Sequence, residues 1–157
     1  MVIKLTNDKR PVFIIYANGT DVLAMLDTGA FMNVYTKDES LFRRRFPNAY
    51  KVKEQTLVGG FGGRDSIVCD VYLIPIVQIG STTFHNLPIA IQPNANISTE
   101  LILSSVTLRR WPFTIDYLHK ELSVDKIGND VYARYSVFSH KPDIISDFFV
   151  FTQEEYV

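Results

Sequence analysis

Asp27 is the residue around which a reaction can be built. It ends the apolar run Val22-Leu23-Ala24-Met25-Leu26 and opens the segment Asp27-Thr28-Gly29-Ala30. A carboxylate at the end of an apolar strand is costly unless it is solvated, paired or hydrogen-bonded. Thr28 supplies a hydroxyl donor, and Gly29 permits a tight turn and close approach by another backbone. A turn of this kind aims N–H groups at the acid and holds it rigidly. Rigid, partly desolvated acids cluster at functional sites. A bare Asp-Thr-Gly also occurs in ordinary β-turns, so its weight comes from its flanks: the apolar strand before it, and Ala30 with a strand-like continuation over residues 31–35 after it.

The second chemical feature is Gly59-Gly60-Phe61-Gly62-Gly63. Extended stretches at 51–58 and 66–77 flank it and predict a long hairpin with a glycine-rich tip. Such a hairpin can bend over an extended peptide and exclude water, with Phe61 packing on the peptide. The bland alternative is a surface hairpin. A phosphate-binding loop is not expected, because no Gly-Lys-Ser/Thr ending is present and the residues that follow read as extended.

The remaining candidates are weaker. His85, His119 and His140 are scattered without ligand spacing, so neither a metal nor another cofactor is expected. Cys69 reads as a small buried hydrophobe. Ser104-Ser105 lacks a Gly-x-Ser-x-Gly context, which argues against a serine hydrolase. Arg43-Arg44-Arg45 reads as a solvated helix face, with a docking patch for an acidic partner as the alternative. Asn18-Gly19-Thr20 and Asn96-Ile97-Ser98 match glycosylation sequons and are read as chance.

The elements that position Asp27 are of strand type. Val12-Phe13-Ile14-Ile15-Tyr16-Ala17, the turn signal Asn18-Gly19 and the run from Val22 to Leu26 predict a hairpin that delivers Asp27 to a turn. Residues 37–46 carry Leu41, Phe42 and Phe46 at helical spacing and end at Pro47-Asn48. Pro75 demotes part of its strand to an edge or bulge. Short strands are expected at 82–84, 87–91 and 100–103. Ser104 then caps a short helix to about Arg110. Residues 113–117 and 121–124 predict a closing hairpin, and Phe148-Phe149-Val150-Phe151 a last strand. Many short strands with turn signals predict a mainly β sandwich or barrel.

Composition sets the outer bounds. The 157 residues fit one domain of ordinary size, and 46% apolar content suffices for a real core. A formal charge of −1 leaves no electrostatic footprint for nucleic acid or an anionic membrane. Cys69 as the lone cysteine excludes an intrachain disulfide and favours a reducing compartment. Neither a signal sequence nor a membrane span is visible, and a cytoplasmic location is the expectation.

With these residues in place, the chain resembles the retropepsin-like aspartic peptidases, in particular their single-domain, bacterial-type relatives. The resemblance rests on Met25-Leu26-Asp27-Thr28-Gly29-Ala30, the hairpin with Gly59 to Gly63, Leu101-Ile102-Leu103 leading into a short helix, and Phe113-Thr114-Ile115-Asp116-Tyr117. It covers roughly residues 10–124. It implies a closed β-barrel or sandwich with a flap hairpin and one or two short helices. The peptidase domain would span residues 1–124. Residues 125–157 would be a C-terminal extension that adds a strand at the dimer interface or reaches the rest of a longer protein.

The resemblance also implies a homodimer whose two Asp27 carboxylates hold one water on the two-fold axis and hydrolyse a bound peptide without a cofactor. Thr28 would lock the two loops together, and Gly29 and Ala30 would line the cleft. Gly59, Gly60, Phe61, Gly62 and Gly63 would form the flap. The chain departs from the family where a Gly usually follows the late apolar strand, because Leu103 is followed by Ser104-Ser105. Two other readings stay open. One is a weakly active or inactive retropepsin-like dimerisation or peptide-binding module. The other is a small β-barrel ligand-binding domain in which the Asp-Thr-Gly turn is incidental.

Overall fold

Asn18 and Gly19 both take positive φ, 49° and 77°. That is the backbone of a two-residue hairpin turn whose twist suits the strands on either side. The structure, a computed structural model, describes residues 2–7, 9–30, 32–59, 66–108, 113–124, 130–135 and 148–152. In chain order the elements begin β1 (Val2–Lys4), β2 (Val12–Ala17), β3 (Thr20–Asp27), β4 (Val34–Tyr35) and α1 (Glu39–Arg45). They continue with β5 (Tyr50–Gly59), β6 (Ser66–Ile79), β7 (Thr82–Ile91), β8 (Leu101–Ser104) and α2 (Ser105–Leu108). The last four are β9 (Phe113–Asp116), β10 (Glu121–Val124), β11 (Asp130–Tyr135) and β12 (Phe148–Thr152).

The fold is mainly β and of sandwich type, as expected. A nine-stranded sheet runs β12-β11-β7-β4-β8-β3-β2, with β6 branching from β7 and β5 from β6. A three-stranded sheet, β1-β10-β9, contains the predicted closing hairpin. The feature that positions the site is the centre of the large sheet. There β3 lies parallel to β8, from Ala24↔Leu101 to Asp27↔Ser104, and two-residue β4 is wedged between β8 and β7.

Side chains alternate across β3, as a pleated strand requires. Val22, Ala24 and Leu26 enter the main core with Phe13, Ile15, Tyr35, Leu101 and Leu103. Leu23, Met25 and Asp27 point to the other face and are half-buried. On α1, the Asp38 carboxylate accepts a 2.7 Å bond from the Leu41 N–H and caps the helix start. Glu39 in the first turn and Arg43, Arg44 and Arg45 in the last complement the helix dipole. The helix buries Phe42, whose ring meets Tyr35 edge-on at 5.1 Å and lies 5.0 Å from Tyr72. The Tyr35 hydroxyl donates to Glu100 at 2.6 Å, and the Arg45 guanidinium reaches the same carboxylate at 3.0 Å. Burial, with Glu100 alongside, pushes the Tyr35 phenol far above the usual range, so it stays protonated and donates to Glu100.

Several elements differ from expectation. The strand predicted over 31–35 shortens to β4, and Phe31 lies outside the described residues. The two short strands at 82–84 and 87–91 are one continuous β7, because β6 pairs with it from Ile79↔Thr82 to Val71↔Ala90. Asn86 takes φ 55° in its middle. Pro75 sits where β6 has already lost β5, whose pairing ends at Tyr50↔Leu73, so its missing N–H costs no ladder bond on that side. The hairpin arms β5 and β6 pair out to Gly59↔Ser66. Gly60, Phe61, Gly62 and Gly63 lie outside the described residues. Beyond residue 124, β11 joins the sheet parallel to β7 and β12 joins β11 antiparallel. No helix among the described residues is long and apolar enough to cross a membrane.

Phe42 is fully buried at the junction of α1, β4 and β6. Truncation to alanine leaves a cavity that a rigid sheet cannot close. Phe42→Ala is expected to lower the unfolding free energy by about 4 kcal/mol, read as a shifted urea midpoint at unchanged m-value.

Candidate active site

Asp27 occupies the last position of β3, half-buried, with Thr28 and Gly29 exposed and Ala30 buried after it. The chain turns back at once. The Gly29 N–H donates to Asp27 Oδ1 at 2.9 Å, and the Ala30 N–H donates to the Asp27 carbonyl at 3.2 Å. A Cβ on Gly29 would stand 3.3 Å from Asp27 Oδ1, closer than such contacts normally come. Glycine relieves this tight contact while its backbone N–H reaches the acid.

Apolar residues flank Asp27 along its face of the sheet. Met25 lies two residues back on β3, Ile102 is its partner on β8, and Val34 on β4 is paired to Ile102. Ala30, Val34 and Ile102 form a buried cluster, with Met25 and Ile97 packed against it. This cluster is separate from the main core. Asp27 thus stands at the edge of a small buried apolar cluster.

What holds the loop after Asp27 is Asn33, which sequence reasoning missed. Asn33 is fully buried, as are Ser104 and Thr107. Its Oδ1 accepts from the Ser104 N–H at 2.8 Å, the Ser104 hydroxyl at 3.1 Å and the Thr107 hydroxyl at 2.8 Å. Its Nδ2 donates to the Pro88 carbonyl at 2.9 Å, and its own carbonyl accepts from the Ala90 N–H at 2.9 Å. One amide therefore ties the returning loop to β7 on one side and to the β8–α2 corner on the other. Ser104, the departure from the family pattern, is part of this bracket and stands in register beside Asp27.

The other candidates fall into place. Gly59 ends β5 opposite Ser66. Cys69 is buried in the main core, and burial pushes its thiol up, away from the reactive thiolate. A cleft of about 220 Å³ between the β2–β3 turn, the C-terminal end of α1 and β6 is lined by Tyr16, Asn18, Arg45 and Ile76 among others. It lies at the far end of β3 from Asp27, and no residue of the Asp27–Ala30 loop borders it. Among the described residues, no three His, Cys, Asp or Glu side chains converge in a way that could hold a metal ion.

Asn33→Ala would leave the Pro88 carbonyl and the Ser104 and Thr107 donors buried without their partner. A loss of about 3 kcal/mol in unfolding free energy is expected, checked by chemical denaturation.

No family model matches the chain, and no curated protein does. Among solved structures, the chain is similar to the crystal structure of a retropepsin-like aspartic protease from Rickettsia conorii. The two share 20% identity over 79% of this chain and 88% of that one, with a TM-score of 0.52. At that identity the likeness establishes the fold, and this chain shares its fold with a retropepsin-like aspartic protease.

Proposed function

We propose that this chain is one subunit of an aspartic endopeptidase, in which Asp27 and the Asp27 of a second copy activate one water between them. The observation that carries the reading is the Asp27 loop. An acid at a strand end is held by the Gly29 N–H beside a small buried apolar cluster, in a fold shared with a known protease.

The chemistry follows from pairing. Two carboxylates a few Å apart cannot both ionise cheaply, so the pair shares a proton over a wide pH range. The ionised member takes a proton from the water while the protonated member polarises the scissile carbonyl. Water attacks directly, without a covalent intermediate, and the pair then returns a proton to the leaving nitrogen. Thr28, exposed beside Asp27, is suited to bond across to the second loop. Gly29 and Ala30 offer backbone groups to an extended peptide, and the hairpin with Gly59, Gly60, Phe61, Gly62 and Gly63 closes over it. Met25, partly buried two residues before Asp27, is the apolar side chain nearest the acid on that face of the strand.

Asp27→Asn tests this directly. It keeps the size and the Gly29 contact but removes the shared proton chemistry. Cleavage of a denatured protein substrate is expected to fall by about a thousandfold or more, with the circular dichroism spectrum and association state preserved. Specific activity of the parent is expected to fall on dilution as subunits separate. An Asn variant that cleaves as fast as the parent removes Asp27 from the mechanism. Activity independent of concentration, from a strictly monomeric species, removes the paired carboxylates.

A further inference from the structure

The described pairing of hairpin β5–β6 has two register shifts, both between Lys51 and Thr56, and that stretch adjoins an ion cluster. Tyr50↔Leu73 and Lys51↔Tyr72 pair normally, and so do Thr56↔Cys69 through Gly59↔Ser66. Between them β5 travels from Lys51 to Thr56 while β6 travels only from Tyr72 to Cys69, with register shifts on both sides of Lys53. Two extra residues on one strand bend it and raise its local twist. The outer arm therefore leaves the body of the molecule at an angle set at this point.

On the body side of the bend, Lys51 is surrounded. Its ammonium lies 3.2 Å from Asp70 on β6, 3.3 Å from Glu39 on α1 and 3.5 Å from Glu54 on β5. It also lies 5.7 Å from the centre of the Tyr72 ring. Tyr72 in turn donates its hydroxyl to Glu39, accepts from Arg43 at 2.9 Å, and packs its ring on Phe42. Asp70 foremost, and Glu39 with it, hold the Lys51 ammonium charged well above the ordinary lysine range. One cation thus joins the first helix to both arms of the hairpin, beside the irregularity. A surface pair would be worth little. This group is half-buried, shares several partners and stands on an aromatic cluster.

We propose that Lys51 is a positioning residue: by tying Glu39 of α1 to Asp70 of β6, it fixes the angle at which the outer β5–β6 arm leaves the body. It touches neither substrate nor Asp27 in this role. Its kinetic consequence rests on the peptidase reading, because the arm matters to turnover only if it closes over a bound peptide. Its structural consequence does not.

Lys51→Met keeps the stem and removes the charge, and Lys51→Arg restores a cation. Amide hydrogen exchange in the whole chain reads the structural part. In Lys51→Met, exchange at residues 56–59 and 66–69 is expected to rise about tenfold, with residues 101–103 of β8 unchanged and Lys51→Arg close to the parent. A rise spread equally over β8, or no rise in the outer arm, overturns the proposal. Steady-state kinetics read the second part: KM for a peptide substrate is expected to rise about fivefold in Lys51→Met with kcat within about twofold. An equal loss in kcat with KM unchanged overturns the positioning role. If the parent shows no Asp27-dependent cleavage, the peptidase reading fails by itself, and the exchange result alone decides the proposal about Lys51.

Discussion

The interior amide of Asn33 is the constraint on which the site depends. A buried side-chain amide is tolerated only when its donor and acceptor capacity is met. Here that requirement recruits the backbone of β7, the corner between β8 and α2, and the loop that returns from Asp27. Satisfying one residue aligns three segments that are far apart in sequence. The parallel register of β3 on β8 sets Ser104 beside Asp27, where its hydroxyl reaches the Asn33 acceptor.

Around this polar centre the two faces of the sheet divide their tasks. Val22, Ala24 and Leu26 commit one face of β3 to the main core, which makes the strand rigid. Met25 and Asp27 on the other face are then held by a strand that cannot rotate. The short tight loop after Asp27 adds little freedom, so the carboxylate is held firmly in place. The same logic accounts for Gly29. With no Cβ at Gly29, its amide hydrogen approaches the carboxylate without the tight 3.3 Å contact that a side chain would make with Asp27 Oδ1.

The legibility of these features in the sequence differs with their range. The β2–β3 hairpin was readable because Asn18-Gly19 dictates its own turn and short apolar runs flank it. Asp27 was readable because an acid after an apolar strand needs a reason. The helix within residues 37–46 and the closing hairpin were readable on the same local grounds. Asn33 was not, since a single Asn between Met32 and Val34 has no periodicity and its partners lie 55 to 74 positions away. Polar His85-Asn86 broke β7 into two in the sequence, whereas pairing with β6 carries the strand straight through. The pairing of β11 with β7 is parallel and distant, so no local turn announces it.

Ser104 carries a consequence for how this chain tolerates change. Its hydroxyl and Asn33 are one unit, so the two positions cannot be weighed separately. A glycine at 104 removes a donor from an acceptor that Thr107 and the main chain still serve. The same glycine beside an altered residue 33 removes nothing further. The fitness of either residue is therefore conditional on the other, and a substitution that is neutral in one sequence background is costly in the next. The corner beside Asp27 is thus a coupled pair, in which the cost of changing one member depends on the state of the other.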